Sequence, residues 1–223
     1  ELIIAIFAFN AGLYKVVQAS ITGSIIGNIL FVLGLSIFLG GLKYPTQRFN
    51  QTIAGLNTSL LVMAVVGLLV PAAFDLQSPG TGAGDHKLYQ LSLFVSCVLI
   101  MVYFANLVFA LKTHKDLYAG GESQQDHDEE PTMSMGKAIA LLLGATVLVA
   151  LMSEFLVGSI EHVTKEFGLS EMFIGVILVP IIGNAAEHLT AVTVALKDKM
   201  DLSLGIAIGS TTQIALLVAP SLV

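Results

Sequence analysis

The chain has 223 residues, of which 55% are hydrophobic and only 12% charged, with a mean hydropathy of +0.86 and a formal net charge of −6. A soluble domain carries about 25% charged residues, so a water-soluble enzyme and a disordered chain are both excluded, and the negative balance excludes a nucleic-acid partner. What remains is a multi-spanning protein embedded in a lipid bilayer.

The chain opens at Glu1 directly into the apolar run Leu2–Phe9, with no Met, basic n-region or cleavage pattern of a signal peptide. It stops at Val223 inside another apolar run, so both ends are expected to be cuts through membrane helices of a longer protein. A spanning helix needs about 20 mostly apolar residues. One partial run, about 1–13, is followed by six near-complete ones at about 16–40, 52–76, 88–111, 136–163, 171–196 and 202–223. Breaker residues separate them at Tyr44-Pro45-Thr46, Ser78-Pro79-Gly80-Thr81-Gly82 and Ala119-Gly120-Gly121. Runs this continuous exclude the alternating strands of a β-barrel. Cys97, alone in an apolar run, allows neither a disulfide nor a thiolate metal site within the chain.

With alternating spans, the side from which the chain enters carries Lys43, Arg48, Lys112, Lys115, Lys137, Lys197 and Lys199. The other side carries Lys15, Lys87 and Lys165, and seven against three makes the first side cytoplasmic. The long polar stretch then falls on the cytoplasmic side and divides the chain into 1–111 (a partial helix and three spans), an acidic linker 112–135, and 136–223 (three spans). Glu122, Asp126, Asp128, Glu129 and Glu130 lack the spacing of an EF-hand loop. They read either as a solvated linker or as a surface that concentrates divalent cations at the cytoplasmic mouth.

An internal repeat runs at an offset of 186 residues, pairing Glu1 with Glu187, Gly23-Ser24 with Gly209-Ser210, and Leu30 with Leu216. The two glutamates lie five spans apart, and an odd separation places the copies in opposite orientations, as in secondary transporters whose substrate site lies near the midplane. The expected fold is therefore an all-α helix bundle of two inverted-topology five-helix repeats.

Carboxylates inside apolar runs are costly and usually functional. Glu1, Glu154, Glu161 and Glu187 are such residues; Glu161 is near a span end, whereas Glu154 lies deeper and either lines a cation or proton path or bonds a neighbouring helix. The strongest cluster is Gly183-Asn184-Ala185-Ala186-Glu187-His188. Pro180 before it favours a kink and Gly183 permits a break. Asn184, Glu187 and His188 then share one helix face. Free carbonyls, a carboxylate and an amide oxygen suit a hard divalent cation such as Ca²⁺; the alternative is a polar contact between helices. In the next span Ser210 and Gln213 can face the same niche, with Gly209 beside them, and their counterparts in the first copy are Ser24 and Gly27, followed by Asn28. No zinc motif, nucleophile elbow or phosphate-binding loop is present, so enzyme chemistry has no visible support.

Gly183-Asn184-Ala185-Ala186-Glu187-His188, followed by Gly205-Ile206-Ala207-Ile208-Gly209-Ser210-Thr211-Thr212-Gln213, closely resembles the second α-repeat of cation/proton exchangers of the CAX type, within the Ca²⁺/cation antiporter superfamily. Glu1 to Phe7, Val17 to Ser20 and Gly23 to Asn28 resemble the first α-repeat, and residues 122–130 resemble the acidic segment that joins the halves. The resemblance implies exchange of Ca²⁺, or a similar divalent cation, for H⁺ by alternating access, with no further cofactor. It implies that Glu1 and Glu187 are the metal- and proton-binding pair, supported by Asn184, Ser24, Ser210 and Gln213, with His188 nearby. Glu154, Gly183, Gly23, Gly209 and Asn28 would line or shape the path. The location implied is the cell membrane in a prokaryote and the vacuolar membrane in a fungus or plant, and a homo-oligomer is compatible with it. Exchange of Ca²⁺ against Na⁺ or K⁺ within the same superfamily, and a passive cation channel, are the alternatives.

Overall fold

The computed structural model describes residues 1–77, 82–114 and 133–223. In chain order the helices are α1 (Leu2–Asn10), α2 (Tyr14–Lys43), α3 (Gln51–Gln77), α4 (Gly82–Val108, continued by a π turn over Phe109–Thr113), α5 (Met135–Phe167), α6 (Glu171–Gly183), α7 (Ala185–Ala195) and α8 (Met200–Leu222). Among the described residues, α2, α3, α4, α5 and α8 are each long and apolar enough to cross a membrane, and α6 with α7 forms a sixth, broken span. These are the six near-complete runs of the sequence, and α1 is the partial one.

Local chemistry fixes the ends. Gly12 turns α1 into α2 with a φ of 75°, and Gly168 closes α5 with a φ of 65°, the left-handed conformation that glycine adopts without penalty. Ser170 caps α6 by accepting the Phe173 N–H at 3.1 Å, with Glu171 in the first turn. Asn50 caps α3 through its side-chain oxygen, which accepts from Thr52 at 3.0 Å and Ile53 at 3.3 Å. Residues 44–50 are tied down at both ends. Lys43 Nζ donates to the Leu196 carbonyl at the end of α7 at 2.9 Å, and the Asn50 N–H donates to the Asp201 carboxylate in the first turn of α8.

The helices group into two compact units. The first comprises Glu1–Gly23 and Glu122–Asn184. In it α1 packs along α5. The first part of α2 meets α6 through two glycines: a Cβ at Gly23 would collide with the Val176 backbone, and one at Gly175 with Ala19 and the Val16 carbonyl. Small residues of this kind let backbones approach where no hydrophobic effect drives helices together. Residues 138–152 of α5 are almost wholly apolar, with Leu141, Leu142, Leu143, Val147 and Leu148 exposed, as suits a membrane span.

The second unit comprises Ser24–Gly121 and Ala185–Val223. Its centre is α8, the most buried span, which touches α2, α3, α4 and α7. Ala215 and Leu216 of α8 pack with Ala64 of α3 and Leu99 of α4. A second core layer joins Val32 of α2, Ala191 of α7 and Ala207 of α8. Among the described residues three π turns lie within this unit, Gly27–Leu33 in α2, Phe109–Thr113 at the end of α4 and Ile214–Val218 in α8.

Candidate functional site

The span α6–α7 breaks where Pro180 and Gly183 predict it. Proline has no N–H, which frees the carbonyl four residues back, that of Val176. That residue lies in a π turn, Ile174–Leu178, and its bare backbone is what Gly23 rests against. The helix ends at Gly183. Asn184 then takes a φ of −108° and a ψ of 12°, its N–H still bonded to the Pro180 carbonyl at 3.0 Å, before α7 starts at Ala185.

In the first unit this break meets Glu1. Asn184 is buried, and its Nδ2 donates to Glu1 Oε1 at 2.7 Å. Gly183 leaves room for that carboxylate: a Cβ there would lie 3.6 Å from Glu1 Oε1 and 3.0 Å from Ile4 Cδ1. Beside the break is a mainly apolar cavity of about 480 Å³, lined by Ile4, Leu148, Met152, Ser153, Ile182 and Gly183. A carboxylate held by an amide donor is fixed in orientation.

In the second unit four polar side chains are linked in a chain of hydrogen bonds. Ser210 Oγ of α8 donates to Glu187 Oε2 at 2.6 Å, the short length of a charge-assisted bond. Asn28 Nδ2 of α2 donates to Ser210 Oγ at 3.2 Å, and Asn28 Oδ1 pairs with His188 Nε2 at 3.1 Å. With the Asn28 oxygen accepting, His188 Nε2 carries hydrogen. Phe31 meets the His188 ring edge-on, with centroids 6.3 Å apart. Asn28 is fully buried, His188 and Ser210 are half-buried, and Glu187 is exposed in the first turn of α7, where the helix dipole favours negative charge. The network thus grips the carboxylate from behind and leaves its open side accessible.

The remaining sequence candidates separate. Ser24 is buried in α2 one turn before Asn28, and Gly23 serves helix contact. Gly209 has open space where a Cβ would stand. Gln213 is exposed, and Glu154 is exposed on α5; the structure brings neither into the two polar clusters. Glu122, Asp126, Asp128, Glu129 and Glu130 lie outside the described residues. Asn28 carries more than the sequence assigns it, because it links His188 to Ser210. Its one sequence signal is a buried-type amide four residues after Ser24 on an apolar helix. Among the described residues no three His, Cys, Asp or Glu side chains cluster as a metal cage, so further oxygen ligands would come from hydroxyls, amides and the backbone freed at the break.

The model of the sodium/calcium exchanger protein family matches residues 1–112 and 137–223. The chain belongs to this family. This exchanger-family chain is an integral membrane protein. It is 47% identical over 237 residues to the Ca²⁺/H⁺ antiporter of Aphanothece halophytica, a match that covers 100% of the chain and 62% of that protein. It is 46% identical to the Ca²⁺/H⁺ antiporter ChaA of Bacillus subtilis, covering 100% of the chain and 63% of the relative. It is 41% identical to vacuolar cation/proton exchanger 2 of Oryza sativa subsp. japonica, covering 99% and 52%. The structure of native YfkE superposes with a TM-score of 0.77 at 43% identity, covering 100% of the chain and 61% of YfkE. The chain thus spans 52 to 63% of the length of these curated relatives.

Proposed function

We propose that this protein exchanges Ca²⁺ for H⁺ across the cell or vacuolar membrane by alternating access, with Glu1 and Glu187 as its paired cation and proton carriers. The observation that carries the reading is the Glu187 carboxylate held by Ser210, which Asn28 and then His188 back in turn, beside the break of a membrane helix. The relatives named as Ca²⁺/H⁺ antiporters and cation/proton exchangers support the choice of ions. On this reading the protein is a transporter with no cofactor of its own, and its partners are the divalent cation and the bilayer.

The physics supports exchange. Two ionised glutamates carry −2 between them, and moving that charge uncompensated through the low-dielectric interior is costly. One Ca²⁺ neutralises it, and so do two protons. If only the neutralised forms switch sides, cation and protons move in opposite directions. In the same reading the halves 1–111 and 136–223 are inverted repeats joined by the linker 112–135. Support comes from the matched glutamates and from π turns at nearly corresponding places, Gly27–Leu33 and Ile214–Val218, at the offset of 186.

The test is ⁴⁵Ca²⁺ uptake into vesicles with and without an acidic interior, for the natural protein and Glu187→Gln. Uptake driven by the pH gradient and abolished by the substitution is expected. Proton-coupled uptake at normal rates in Glu187→Gln overturns the assignment, and uptake indifferent to the pH gradient moves it to Na⁺ or K⁺ coupling or to a channel.

A further inference from the structure

The second unit contains a second polar layer that the exchange reading does not use. Hydroxyls in these helices usually bond back to the carbonyl four residues earlier. Thr22 does so to Gln18, Ser59 to Gly55, Thr146 to Leu142, Thr190 to Ala186 and Thr211 to Ala207. Ser36 of α2 and Ser203 of α8 depart from this pattern. Both are fully buried, and among the described residues neither Oγ has a hydrogen-bond partner. The Nε2 of Gln47, in the segment after α2, is likewise buried and unpartnered.

Helix geometry puts the three together. Val32, Ala191 and Ala207 pack in one layer of α2, α7 and α8. One turn further along each helix, away from Asn28, Glu187 and Ser210, the same faces present Ser36, Ala195 and Ser203. One turn beyond Ser36 is Gly40. Its missing Cβ makes room for the Gln47 amide and leaves the Ala195 carbonyl 3.3 Å from where that Cβ would stand. Buried polar groups without partners are rare, and where the surroundings are polar they are ordinarily satisfied by ordered water, which needs two to four such partners.

We propose that Ser36, Ser203 and Gln47 form an internal hydration site between α2, α7 and α8 that holds ordered water. The ligand is a small neutral molecule that both donates and accepts. The hydroxyls can act in either sense, and Gln47 Nε2 donates. The interior of this unit is then a stack: the Glu187 network, one apolar layer of Val32, Ala191 and Ala207, and a hydrated layer beneath the Lys43–Asp201 end. This inference does not rest on the exchange reading, and its test involves no transport.

The test is thermal unfolding of the purified protein in detergent as Ser36→Ala, Ser203→Ala and the double variant. A dry, orphaned hydroxyl is a burden, and Ala is also the better helix former, so its removal from a dry site would raise the midpoint. Removal from a hydrated site breaks a hydrogen bond to the water. The expected result is a fall of about 2–4 °C in each single variant, with a double variant that loses less than the sum. Synchrotron hydroxyl-radical labelling provides the second measurement. Met200, buried three residues before Ser203, should oxidise in the natural protein and lose that labelling in the double variant. A midpoint unchanged or raised in either single variant, or no oxidation of Met200 in the natural protein, overturns the site.

Discussion

Ser210→Ala isolates the hydroxyl that stands between Glu187 and Asn28. Its 2.6 Å bond to the carboxylate is charge-assisted, a class worth about 1.5–3 kcal/mol. Glu187 is exposed, so the lower end applies, about 1.5 kcal/mol. The substitution also deprives Asn28 Nδ2 of its acceptor inside the bundle. An untethered carboxylate must be ordered again each time a cation binds, at about 0.5–1.5 kcal/mol. The first figure and the upper end of the second place the loss near a tenfold change in binding. The assay is ⁴⁵Ca²⁺ uptake under a fixed pH gradient, with half-saturating Ca²⁺ and maximal rate measured separately. Half-saturation should rise about tenfold in Ser210→Ala and stay near natural in Ser210→Thr, which keeps the hydroxyl. An unchanged half-saturation in Ser210→Ala refutes the reasoning, and so does an equal loss in Ser210→Thr, which would trace the effect to packing.

Gly175→Val should lower the unfolding midpoint, because its side chain meets Ala19 and the Val16 carbonyl at a close helix contact, and overpacking of this kind costs about 1–3 kcal/mol. Gly34→Ala, where the space is open, is the control in the same scanning-fluorimetry series. Glu154→Gln should leave the Ca²⁺ uptake rate within about twofold of natural, since a surface substitution outside both clusters shifts energies by about 0.5 kcal/mol or less; a rate near zero would place Glu154 on the ion path.

The spans were readable because a bilayer demands long, continuously apolar runs, and each polar break had its own turn chemistry. The interruption of α6–α7 was readable for a similar reason: Pro180, Gly183 and Asn184 act on their own backbone, and no distant partner is needed to infer what they do. Contacts between helices were harder. His188 and Asn28 are 160 residues apart, and nothing in either neighbourhood announces their bond. Depth along a span also says nothing of which way a side chain faces. Glu154 and Gln213 lie well inside apolar runs, yet both are exposed. Ser36 and Ser203 carried no signal, because a lone serine among apolar residues reads as helix packing until its hydroxyl is found without a carbonyl to bond.

The π turn in α2 has a consequence for register. A π turn holds one residue more than the α-helix it interrupts. Relaxation of Gly27–Leu33 to ordinary α-helix at unchanged length would rotate everything beyond it by about 100°. Asn28 would keep its place, while Ser36, Gly40 and Lys43 would swing away from α7 and α8. The length of that one turn is therefore a phase setting, which keeps the two ends of a single helix aimed at the same neighbours.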